Sequence, residues 1–141
     1  MSAHSGEWND EDTNSQEIQK EVQEILKKTG IEELINRAEK ALKRMKAEKN
    51  FDEIWACSTE ISHCYIEFFR ELPSILNQVQ KRELFDLLFG FCMKIFNGIA
   101  EEASTRLEEI SKELRPELRK VVLFRARRLR LTPVMMQREL R

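Results

Sequence analysis

Glu60-Ile-Ser-His63 is the first place in this chain where chemistry could sit. Two such Glu-x-x-His pairs on facing helices hold a di-iron centre in ferritin-like bundles. The second pair is missing, because the only other histidine is His4. His63 also falls opposite the apolar stripe Ile54/Ile61/Phe68, with Glu60 and Glu67 beside it. A solvated helix face with i,i+4 charge pairs accounts for the motif, and no metal site is expected.

The three cysteines are Cys57, Cys64 and Cys92. A nucleophilic thiol needs exposure and an activating base. These three lie within apolar helical patterns, where cysteine behaves as a small hydrophobe. An odd number without CxxC spacing reads as reduced thiols, and so as a cytoplasmic or nuclear protein. Gly6, Gly30, Gly90 and Gly98 are all isolated, so no glycine-rich loop can cradle a phosphate. The expectation is a non-enzymatic chain that takes no cofactor. Phe68-Phe69 and Phe89-Gly90-Phe91 read as core packing.

One stretch resists so plain a reading. "RKVVLFRARRLRLTP", Arg119 to Pro133, mixes arginines with large apolar side chains. Residues 115–141 carry nine Lys/Arg against two Glu, whereas residues 1–17 carry five acids and no Lys or Arg. Such segregation suggests an interaction segment at one or both ends. Arg119, Arg125, Arg127, Arg128 and Arg130 could contact phosphates together. No nucleic-acid motif accompanies them, and Phe124 alone offers a stacking ring. An in-plane membrane helix needs one apolar and one basic face, but here the two types interleave around the wheel. Arginine beside aliphatic and aromatic anchors is typical of protein interfaces.

The reading is therefore a protein partner, self-association included, with nucleic acid as the weaker alternative and no membrane. The expected anchors are Phe124, Leu131, Met135 and Met136, with Arg125, Arg127, Arg128 and Arg130 pairing with acids. Trp55 and Ile66 leave their helix's apolar stripe on one flank and form a second patch candidate.

The elements that must position these residues are helices. The chain has 141 residues, 41% hydrophobic and 35% charged, with four Gly and three Pro. That suits one all-α domain able to bury its own core. No run approaches membrane-spanning length. Residues 1–15 show no periodicity and read as a disordered acidic arm, with Trp8 as a candidate docking aromatic. Ser15 is a plausible cap for a helix carrying Ile18, Val22, Ile25 and Leu26. A second stripe, Ile31 to Met45, is out of phase with the first. A break is predicted at Thr29-Gly30, with Thr29 and Glu32 at capping-box spacing.

Asn50 is predicted to cap a helix that buries Ile54, Cys57, Ile61, Cys64, Tyr65, Phe68 and Leu72 and ends at Pro73. Leu84 to Ile99 is apolar nearly all round and reads as a central, mostly buried helix closed by Asn97-Gly98. The next stripe is Ile99, Ala103, Leu107, Ile110 and Leu114. It continues in phase through Leu118 and Val121, so Pro116 either kinks one helix or starts another. Its next position is Arg125, where the core is expected to end. The architecture predicted is a single-domain bundle of five to six helices over 16–131, with a short helical tail over 132–141. A short array of stacked helix pairs is the alternative.

Overall fold

A computed structural model describes the backbone of residues 2–79 and 81–139, and the side chains of 16–79, 81–133 and Met135. Five helices, α1 (Ser2–Thr29), α2 (Ile31–Ala47), α3 (Phe51–Gln78), α4 (Arg82–Ser111) and α5 (Pro116–Glu139), form an all-α bundle. The described residues contain no strand. No described helix is long and apolar enough to cross a membrane.

α1 is already helical at Ser2, so its backbone takes in the segment read as a disordered arm, and Ser15 is not its cap. Trp8 and its acidic neighbours lie outside the described side chains. From the rest of α1, Val22 and Leu26 enter the core. Gly30 then breaks the helix with φ 79, a left-handed conformation that costs a residue with a Cβ about 1–2 kcal/mol. The capping box does not form. The Thr29 hydroxyl turns back to donate to the Ile25 carbonyl at 2.7 Å, and Gly30 itself occupies the cap of α2.

Asn50 caps α3 as predicted, its side chain accepting from the Asp52 and Glu53 amides. The seven core residues expected on α3 are all buried. Pro73 does not end the helix. Leu72 before it and Ile75 after it are both buried, so the same face stays anchored across the proline. Pro73 lies on the exposed side, where the carbonyl that loses its partner can meet water.

α4 touches each of the other four helices, which makes it the central element. It does not stop at Asn97-Gly98. The glycine closure expected there would place Gly98 in the left-handed region, and Gly30 is the only described residue with positive φ. Burial of Ile99, Ala100 and Ala103 carries the helix onward. Within 84–99 the coverage is less complete than expected. Leu87 and Phe91 are exposed, as is Phe69 on α3, so the paired phenylalanines are not wholly core.

The ambiguity at Pro116 resolves as a break. α4 ends at Ser111, and α5 opens with Pro116 in its first turn, where a missing N–H costs nothing. Arg119 holds the turn together by donating to the carbonyls of Ser111, Lys112 and Leu114 at 3.0, 3.3 and 3.2 Å. Arg106 does the same for the end of α2, donating to the Met45 and Glu48 carbonyls. Both guanidiniums satisfy carbonyls that a helix end leaves without partners.

The turn resets the helical phase. Leu118 and Val121, expected to extend the buried stripe, are exposed. Val122, Ala126, Leu129 and Pro133 face the core instead. The core therefore does not end at position 125, and no break at Thr132-Pro133 separates a tail.

Candidate docking surface on the C-terminal helix

α5 lies against α4 on one side and α3 on the other, and its arginines divide accordingly. On the α4 side, Arg130 grips Glu108 with two parallel bonds of 2.9 and 2.7 Å and also pairs with Glu101 at 3.3 Å. The hydrogen bond from Arg130 holds the Glu108 carboxyl below the usual carboxylate range, with the Arg130 and Lys112 charges adding to it. Close approach of the two backbones is possible because the residues between them are small. Ser104, fully buried, donates to the Ala126 carbonyl at 2.8 Å.

On the α3 side, the guanidinium of Arg125 stacks over the Trp55 ring, 3.7 Å from its centroid. Its Nη1 donates to Ser58 Oγ at 3.1 Å and to Thr59 Oγ1 at 2.6 Å. Both hydroxyls in turn donate to the Trp55 carbonyl, at 2.7 and 3.1 Å. Each hydroxyl proton is thereby used, and only lone pairs face Arg125. Partial burial, and then the Arg128 charge, push Arg125 down from the ordinary guanidinium range. No carboxylate pairs with Arg125 among the described residues, whereas Arg37, Arg44, Arg106 and Arg130 each have at least one.

The remaining face of α5 meets no other helix. At 100° per residue, Phe124, Leu131 and Met135 fall within about 40° of one another, opposite the buried row Val122/Ala126/Leu129/Pro133. Phe124 is 65% exposed, Leu131 49% and Met135 60%. The row covers about 16 Å along the helix. Arg128 lies among these residues and Arg127 beside them, both exposed and without an ion pair among the described residues. Over Pro116–Glu139 the chain carries seven Lys/Arg and two Glu, a difference of +5.

The residues singled out from sequence thus separate into two groups. Phe124, Leu131, Met135, Arg127 and Arg128 share the outward face. Arg125 and Arg130 turn inward onto α3 and α4. The side chain of Met136 lies outside the described residues.

The second patch does not form as expected. Arg125 covers Trp55, while Ile66 remains 47% exposed. Ile66 shares its flank instead with Phe69, Pro73 and Leu76, all exposed. A helix ending at Pro73 would not carry this row to Leu76; its i, i+3, i+7, i+10 spacing is the signal in the sequence.

Glu60 accepts from Arg37 Nε at 2.9 Å, and His63 is exposed. No group of three metal-ligating side chains occurs among the described residues. All three thiols are buried. Burial, the largest cause in each case, pushes Cys57 up, Cys64 to about 11 and Cys92 to about 12. They are protonated at neutral pH and poor nucleophiles.

No family model, curated protein or solved structure matches the chain.

Proposed function

We propose that this chain is a non-enzymatic protein-docking module, a subunit or adaptor of an intracellular complex, and that α5 is its binding helix. The observation that carries the reading is the alignment of Phe124, Leu131 and Met135 on the face of α5 opposite the core. Large apolar side chains in a row, flanked by arginine, are the anchor-and-rim pattern of protein interfaces. The excess positive charge on α5 selects an acidic partner. It also disfavours a second copy, since two α5 faces would bring like charges together. Buried, protonated thiols suit a reducing compartment, cytoplasm or nucleus.

Affinity capture with the full chain tests the proposal, comparing Phe124→Ala/Leu131→Ala with Arg127→Gln/Arg128→Gln, each with and without nuclease. Docking predicts a partner that survives nuclease and is lost with the apolar pair. Capture that ignores the apolar pair, disappears with nuclease and weakens steeply with salt assigns the arginines to phosphates instead.

A further inference from the structure

We infer that the Arg125 guanidinium is a pre-set fork that receives a carboxylate of the acidic protein partner seated on Phe124, Leu131 and Met135. The inference rests on the docking reading and specifies what that partner must carry. Arg125 is held in place on two sides. Trp55 covers one face of its plane, and Ser58 and Thr59 take both protons of Nη1. Three N–H groups remain, one on Nε and two on Nη2, and none has an acceptor among the described residues. Nε and Nη2 form the side-on edge that binds a carboxylate through two parallel bonds. Because stacking and hydroxyl contacts already hold the group, little side-chain entropy remains to be lost when an anion arrives.

Among the described residues the chain does not supply the anion itself. The nearby hydroxyls can only accept, and the charge that acts on Arg125 is that of another cation, Arg128. A half-buried charge without a counter-ion is costly, and an incoming carboxylate relieves that cost. A phosphate would fit the same fork. The protein source is favoured because the adjoining face is apolar, and a sugar-phosphate backbone offers nothing to cover Phe124, Leu131 and Met135. The partner's acid must therefore lie on the α3 side of its own apolar anchors, where Arg125 and Arg128 meet.

Two synthetic amphipathic peptides of about 16 residues, identical leucine faces flanked by Glu in one and Gln in the other, make the test. Fluorescence anisotropy on the full chain should give the Glu peptide at least about tenfold tighter binding than the Gln peptide. Arg125→Gln should cut that ratio to about twofold. Arg125→Lys, which keeps the charge but loses the fork, should recover only part of it. Phe124→Ala should weaken both peptides alike.

A Glu-to-Gln ratio unchanged by Arg125→Gln overturns the fork and leaves docking standing. Binding of neither peptide overturns both readings. A parallel titration with sodium acetate, followed at the Arg125 Nε–Hε resonance, reads the fork without the apolar face. It should saturate at Arg125 and not at Arg127; a shift shared equally by the two overturns the fork. A single-stranded RNA oligonucleotide that outcompetes the Glu peptide through Arg125 overturns the protein source.

Discussion

Arg125 lies 3.7 Å from the centre of the Trp55 ring, joining a residue of α5 to one 70 positions earlier on α3. The pair fastens α5 to α3, and among the described residues no carboxylate helps it. A cation over an indole contributes about 0.5–2 kcal/mol, depending on desolvation. A double-mutant cycle of Arg125→Ala and Trp55→Leu by urea unfolding should therefore show a coupling of about 1 kcal/mol. Strictly additive effects would mean that the stacking carries no stability.

The two faces of α5 should respond oppositely to truncation. Val122 and Leu129 are 0% and 2% exposed, so their replacement by Ala should cost on the order of 1–4 kcal/mol, Leu129 the more. Phe124→Ala and Leu131→Ala should change stability by no more than about 0.5 kcal/mol. Chemical denaturation of the four variants checks this. An Phe124→Ala chain as unstable as Leu129→Ala would place Phe124 in the fold rather than on a binding face.

The thiols should be silent in the native state. With burial pushing Cys64 to about 11 and Cys92 to about 12, neither supplies appreciable thiolate at about pH 8. An aromatic disulfide reagent should label the native chain slowly and all three cysteines rapidly in denaturant. The linkage has a sign. A thiol whose folded value exceeds its unfolded one favours the fold fully below the unfolded pKa of about 8.5, and stability falls as pH rises beyond it.

Glu108 acts in the other direction. Its hydrogen bond from Arg130 depresses its folded pKa, so the contribution is present above the unfolded value of about 4.3 and is lost as pH falls through the folded one. Both side chains are partly exposed, 33% for Arg130 and 41% for Glu108, and solvent screens the pair to roughly 0.5–1 kcal/mol. Urea midpoints at about pH 6 and pH 3 should show Glu108→Gln losing more stability at the higher pH than at the lower. An equal loss at both would assign the effect to packing.

Local signals along the chain succeeded where burial agreed with them and failed where it did not. Gly30 breaks the helix because the stripes on either side of it are out of phase. Pro73, Gly98 and Pro133 carry comparable punctuation, yet each helix runs through. An interior proline costs about 3 kcal/mol. At Pro73, burying Ile75 in the next turn, at about 1.5–3 kcal/mol, offsets much of that cost. The sequence shows the punctuation; whether the following turn has a core to enter is a property of the packed bundle.

The all-helical class, the buried stripes of α2 and α3, the Asn50 cap and the exposure of Phe124, Leu131 and Met135 were legible from residue types and period alone. The roles of the arginines were not. Arg125 and Arg127 are two positions apart, so at 100° per residue they point about 200° apart. One reaches Trp55 and the other reaches solvent. Which does which depends on the phase of α5, and the turn at 112–115 sets that phase anew after α4. A periodic pattern carries phase only along an unbroken helix. Once the chain turns, the packing of α5 between α3 and α4 chooses the inward face, and that choice decides which arginines brace the fold and which remain on its surface.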